Sequence, residues 1–490
     1  MVLYRAGACL AVALILAPAR HGSAWFSPQS PPADTQPQAA PVAQSQREPK
    51  SQADSTPPQA RRQDRRKRAP RTPARRPSSR MSRLAEPTRH DLTLTAIVLG
   101  GYDDNPGAGA GAHLAPAAIA SGSTGYLDGA LEYFGGNTLR SIRIGSTGNV
   151  HAYPGYLERP AAGGAATVDA MTTVGRSLTF RATERVGYES LFNVFSPGAS
   201  SRPSPPGIGE TVPATGLFER HSLSSYTSVS IGRLWSRRDS TSFSYSYGVQ
   251  QFTDDDYGNN NSHDVLAEYR RRLAQGVGAR AEYRYVNGEY TEHDGAVRLT
   301  GEHRIEGGPE IEKALSRRRH LTLWLGAGAS HIESAGSTGR EPRHSWVPVG
   351  SGSVTLGLSP LWSVGAGYRR GFSPLRGVTD EVYTTDTAFL TIRRPVTDRT
   401  DLRVGAMYSN WNASLAPGVD DRFRVYGASL QVNVALTATL AATADYSYYR
   451  HRYSNRGELP AGFSAKYDRH AFRVGLKVRV PLAGTPSRRR

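Results

Sequence analysis

From Asp91 onward, apolar side chains recur at every second position, in runs of about 10 to 16 residues. A period of two is that of an extended strand, whose successive side chains point to opposite faces. The last run is the cleanest: Phe472, Val474, Leu476, Val478, Val480 and Leu482 alternate with Arg473, Gly475, Lys477, Arg479 and Pro481. One face is wholly apolar and the other basic. Phe243 to Val249, Val277 to Tyr285 and Leu321 to Ala329 repeat the rhythm. A propeller or sandwich should have central strands apolar on both faces and turns every 8–12 residues or so. Here the strands are longer and one face stays polar. A repeat of about 40–50 residues with a shared motif is also missing. Helical membrane spans are excluded. The one long apolar run, Ala6 to Pro18, falls short of the roughly 20 residues a spanning helix needs. Alternating strands still cross a membrane at a mean hydropathy of −0.48, because only one face need be apolar.

The pattern therefore predicts an all-β protein, a transmembrane antiparallel β-barrel of about 18 strands (16–18). The alternation places the strands from 91–102 to 466–482. Tight connections such as 175–176, 274–276 and 437–438 alternate with longer ones such as 103–124, 191–218 and 454–465. Outer-membrane barrels have this asymmetry, with tight turns in the periplasm and long loops outside. An even strand number then puts both termini on the periplasmic side. Arginine clusters (Arg237 and Arg238, Arg270 to Arg272, Arg317 to Arg319, Arg393 and Arg394) fall at tight turns, and acidic ones (Asp103 and Asp104, Asp254 to Asp256) at long loops.

Four segments are expected. Residues 1–24 read as a signal peptide: Arg5, an apolar stretch to Ala17, then a small-residue site at Gly22-Ser23-Ala24, with Ala17-Pro18-Ala19 as a rival. Cys9, the single cysteine, leaves with it, which removes disulfides and thiolate metal sites. Residues 25–90 hold 12 prolines and 14 Arg or Lys against 5 Asp or Glu, and read as a disordered periplasmic arm. Residues 91–482 form the barrel, and 483–490 a basic tail. Most of the net charge of +18 sits in the arm and tail, so it is no sign of nucleic-acid binding. The arm reads instead as a solvated tether or as a binder of an anionic polymer such as cell-wall glycan, lipid headgroups or acidic polysaccharide.

The lumen can be read from parity. In 297–313, Val297, Leu299, Ile305 and Ile311 face out, while Arg298, Glu302, Arg304, Glu306, Glu310 and Glu312 face in. His303 then faces out, against the pattern. Glu268, Arg270, Arg280, Glu282, Arg284, Arg369, Arg403, Arg473, Lys477 and Arg479 complete the predicted pore lining. Opposed charges across a wet lumen would select polar or charged solutes, with the basic excess on the closing strands pointing to anionic cargo; the alternative is ordinary cross-strand pairing on a wet wall. Tyr188, Trp235, Tyr285, Trp362, Tyr368, Tyr446 and Tyr448 are placed to form interfacial girdles.

The opening strand DLTLTAIVLGGYDDNP, with the hairpin strings GRSLTFRATERVGYES and SVSIGRLWSRRDSTSFSYSYG, resembles the bacterial outer-membrane β-barrel porins. The resemblance spans about 91–482. It implies a Gram-negative outer-membrane location, pore-like architecture and the barrel-assembly machinery as a partner. Such barrels sometimes accompany exopolysaccharide export, which makes a polymer outlet one option. Outer-membrane lipid and lipopolysaccharide are the expected surroundings. This chain departs from the usual terminal aromatic: Leu482 is followed by AGTPSRRR.

An enzyme is not expected. H-E-x-x-H and G-x-S-x-G do not occur in the barrel segment, and His263-Asp264 and His293-Asp294 read as loop pairs. The Gly-rich 107–114 lacks the Lys-Ser/Thr of a phosphate loop, and TDDDYGNNNS at 253–262 lacks EF-hand spacing. No cofactor or metal is implied, although 253–262 could bridge cations to lipopolysaccharide phosphates. Two functions remain: a porin-like channel for polar or anionic solutes or a secreted polysaccharide, and a silent anchor whose basic arm binds glycan.

Overall fold

A computed structural model describes residues 89–104, 121–154, 160–192, 218–252, 259–291, 297–335, 343–359, 361–374, 382–413, 422–454 and 465–484. The signal peptide, nearly all of the arm, the end of the tail, the Gly-rich 107–114 and residues 253–258 lie outside them.

The described residues form eighteen strands. They are β1 (Arg89–Asp103), β2 (Gly122–Gly136), β3 (Arg140–Ala152), β4 (Ala161–Val174), β5 (Leu178–Phe192), β6 (Phe218–Leu234), β7 (Asp239–Phe252), β8 (Asn260–Ala274), β9 (Val277–Thr291), β10 (Val297–Ala314), β11 (His320–Ala335), β12 (Arg343–Gly357), β13 (Ser363–Pro374), β14 (Val382–Pro395), β15 (Thr400–Ala413), β16 (Arg422–Ala435), β17 (Leu440–Tyr453) and β18 (Lys466–Gly484). Each pairs antiparallel with the next, and β1 also pairs with β18 from Asp91↔Gly484 to Asp103↔Ala471. The sheet is therefore a closed barrel with no free edge. Closure satisfies every strand's backbone groups internally, which hydrocarbon demands. Strands of 12 to 19 residues exceed the roughly 9–11 needed to cross a bilayer.

The expected strand count and turn alternation hold. Boundaries differ by at most a few residues, most at β4, where the small residues Ala161 to Gly164 carry no period-two signal but still pair. The tight turns follow one chemistry. At Asn137, Ser236, Ser316, Ser359, Thr397 and Thr437 the side-chain oxygen accepts a hydrogen bond from a backbone N–H two or three residues on. The other two tight turns use Gly175 and Gly276 at φ of 66° and 73°, the left-handed region a side chain disfavours.

Burial is inverted relative to a water-soluble protein. Ile305 and Trp346 are 65% and 71% exposed, whereas Arg304 and Glu306 are 4% exposed. Leu94, Val98, Leu127, Leu131, Phe472, Val474 and Leu476 are exposed on the same outer face. Neutral water would penalise that wall by about 25 cal/mol per Å² of apolar surface, and lipid would not.

Candidate functional site

The inner wall is built from the residues between the outward-facing apolar ones. On β8, β9 and β10 it carries a dense ionic lattice. Arg280 ion-pairs with Glu268, Nε to Oε2 at 2.8 Å, and donates a hydrogen bond from Nη2 to Glu282 at 2.5 Å. Arg270 bonds Glu268 at 2.7 Å and reaches Glu310 at 3.9 Å. Arg284 forks onto Asp264, with Nε to Oδ1 at 2.9 Å and Nη2 to Oδ2 at 2.6 Å. Arg304 pairs with Glu306, which also accepts from Ser351, and Ser330 donates to Glu302 at 2.9 Å. Arg369 stands directly opposite Ser351 in register, so the lattice continues onto β12 and β13. Trp324 closes it, donating Nε1–H to Ser351 at 3.0 Å under the Arg280 guanidinium, 4.9 Å from its ring.

Those of the predicted residues whose side chains are described fall on the inward face, and the structure brings most of them together. Arg403 pairs instead with Asp401 at 3.1 Å, and Arg473 with Asp445 at 2.6 Å. Glu312, Lys477 and Arg479 make no ion pair among the described residues, and nothing is described of the Arg298 side chain. The charges pair along and between neighbouring strands of the wall. Asp264 and Asp401, key partners, carried no sequence signal beyond parity.

A second inner patch escaped the sequence reading. A chain of rings crosses β14 to β18 near the long-loop end: Tyr383–Trp411 at 6.4 Å, Trp411–Phe423 at 6.5 Å, Phe423–His451 at 5.3 Å, His451–Tyr467 at 5.2 Å and Tyr467–Tyr449 at 5.6 Å. Beside it Arg469 binds Asp103 across the closing seam, with Nε–Oδ2 at 2.9 Å, and both side chains are buried. Tyr126 and Tyr153 share a hydroxyl hydrogen bond of 2.5 Å. Burial, with Tyr126 beside it, pushes the Tyr153 hydroxyl well up, so that hydroxyl stays neutral. Residue type alone cannot distinguish these inward rings from outward ones, and only their place in the alternation does: Tyr446 and Tyr448 face out, while Tyr449, one residue on, faces in.

On the outer face the expected girdle residues are present, and His303 has a reason to be there. Near the long-loop end, Tyr hydroxyls meet His Nδ1 atoms repeatedly: Tyr188–His221 at 2.7 Å, Tyr245–His263 at 2.8 Å, Tyr283–His303 at 3.0 Å and Tyr446–His470 at 2.8 Å. Amphipathic rings at this height match a membrane interface, where one end is apolar and the other wet. His263-Asp264 is not a loop pair. Both lie in β8, so they face opposite ways: His263 out to Tyr245, Asp264 in to Arg284. His293-Asp294 lies outside the described residues.

An inner wall of charge, an outer wall of aliphatics and aromatic rings at the rim leave one reading of the architecture. It is that of a transmembrane β-barrel. No family model matches the chain, and no curated protein matches its sequence. Among solved structures, the barrel is similar to OccAB3 of Acinetobacter baumannii (TM-score 0.42, 10% identity, 81% of this chain and 99% of that one). It is also similar to OpdQ of Pseudomonas aeruginosa (TM-score 0.40, 8% identity, 80% and 99%). A third is the ferric citrate transporter FecA in its unliganded form (TM-score 0.42, 12% identity), of which the barrel covers 75% of its own chain and 60% of the transporter's length.

Proposed function

We propose that the protein is a porin-like channel of the bacterial outer membrane that passes polar solutes, with a preference for anions. The observation that carries this is the inversion of burial in a closed eighteen-stranded sheet: aliphatic outside, ionic inside. A barrel of about 16–18 strands is too wide for its side chains to fill, so a wet lumen follows. Both chain ends of the barrel lie at its tight-turn end. In an outer membrane that end is the periplasmic one, which supports a periplasmic arm.

The anion preference rests on β18, whose inner face carries Arg469, Arg473, Lys477 and Arg479. The first two are neutralised by aspartates, and the last two have no acidic partner among the described residues. Two unpaired cations on a wet wall raise the local anion concentration. An acidic glycan is one anionic cargo that such a basic inner face would take. That would make the protein an outlet for a secreted polysaccharide.

Planar-bilayer recording of the full chain tests this reading. Stable open conductance is expected, with a reversal potential in a salt gradient on the anion side. Lys477→Glu with Arg479→Glu should move that potential toward cations. A barrel that migrates as folded on a heat-modifiability gel yet stays silent in the bilayer would replace the channel by the membrane-anchor reading.

A further inference from the structure

Near the long-loop end, the outer wall carries a histidine–glutamate cluster on β11 and β12. Four of the outward histidines near the long-loop end, His221, His263, His303 and His470, spend Nδ1 on a tyrosine hydroxyl. His331 on β11 and His344 on β12 do not. Both aim Nδ1 at one oxygen, Oε1 of Glu333, at 3.6 and 3.7 Å. The register explains the convergence. His331 and Glu333 are two residues apart and share a face, and Glu333 stands directly opposite His344. The two imidazoles lie parallel, within 2° and 5.8 Å apart, and Trp346 packs on His331 at 4.8 Å and fixes its ring.

These separations are too long for hydrogen bonds. They suit ligands of one ion: tetrahedral bonds of about 2.0–2.2 Å hold ligand atoms roughly 3.3–3.6 Å apart. The ligand atoms of all three side chains lie within 4.8 Å of one another, so small rotamer adjustments complete the set. Two imidazole nitrogens and one carboxylate oxygen select a borderline transition-metal dication, zinc above all. Calcium and magnesium demand more oxygens. Glu333 and His344 are about half exposed, so an ion enters from the aqueous rim and water takes the fourth position.

We propose that His331, Glu333 and His344 form a zinc site on the outer wall. Its three ligands bridge β11 and β12 only when those strands are paired, so bound zinc staples the hairpin at its long-loop end. The site is independent of whether the lumen conducts.

The full chain, folded in detergent at neutral pH, is titrated with zinc against a chromophoric chelator. About one zinc per barrel is expected. Affinity should fall at least about tenfold in His331→Ala and in His344→Ala, while His303→Ala, one strand away, should match the parent. Zinc should raise the thermal midpoint of the parent and not of the two ligand variants. Heat-modifiable migration shows that each variant is folded, and His331→Gln replaces His331→Ala if the alanine is not. No zinc uptake by the folded barrel, or uptake unchanged in both ligand variants, would overturn the site.

Discussion

Arg284 and Arg181 each bind an aspartate on a neighbouring strand, and they should respond very differently to losing it. The Arg284 and Asp264 side chains are 9% and 8% exposed, whereas that of Arg181 is 57% exposed. Asp264→Ala strands a buried guanidinium, which costs about 3–5 kcal/mol. Asp169→Ala removes a partner from a solvated cation, which costs about 0–1 kcal/mol. Denaturant unfolding of the refolded barrel, followed by tryptophan fluorescence, separates the two. In the interfacial belt, Tyr283→Phe removes the hydroxyl that meets His303 and should cost about 1 kcal/mol in the same assay. The sequence announced these residues unevenly. Arg284 was legible from parity alone. Its partner was not, because choosing Asp264 over the nearer Glu282 depends on which carboxylate the sheet twist brings under the fork.

At the scale of the strand, β18 carries the strongest constraint, because it meets both its hairpin partner and β1. Leu476 is half-exposed on the outer face. Leu476→Arg places a cation in hydrocarbon and should cost about 2–4 kcal/mol, whereas Lys477→Glu, one residue on and facing in, should leave stability unchanged. The seam adds a steric demand. A Cβ on Gly475 would sit 1.8 Å from the Val98 carbonyl oxygen, while one on Gly100 would meet nothing within 4 Å. Gly475→Ala should therefore lower the yield of heat-modifiable, closed barrel, and Gly100→Ala should not. Strands and turns were the legible level of this protein. One apolar face at period two fixes a strand's position, and a Ser, Thr, Asn or Gly closes each tight turn. The pairing of β1 with β18 left no local mark. Arg469 and Asp103 stand 366 positions apart and become neighbours only when the sheet closes.

The whole molecule reverses the usual rule that ions stay wet and aliphatics stay dry. A closed sheet permits that reversal, since only the outer face meets lipid and all backbone groups are already paired. The turns divide the barrel into a tight-turn end and a long-loop end, and the strand number makes it too wide for side chains to fill. Cargo is the level at which the sequence said least. The aromatic chain from Tyr383 to Tyr449 is assembled from five strands, and each of its rings alone looks like a girdle residue. The central claim is that neighbouring positions of one strand see water and lipid in turn. Single cysteines along β18, in a Cys9→Ser background, test it most directly. In lipid vesicles, Arg473→Cys, Lys477→Cys and Arg479→Cys should react with a membrane-impermeant thiol reagent. Val474→Cys, Leu476→Cys and Val478→Cys should resist it, and a fluorophore attached there should be quenched from within the bilayer. Equal labelling of both sets, with no alternation along the strand, would contradict the account.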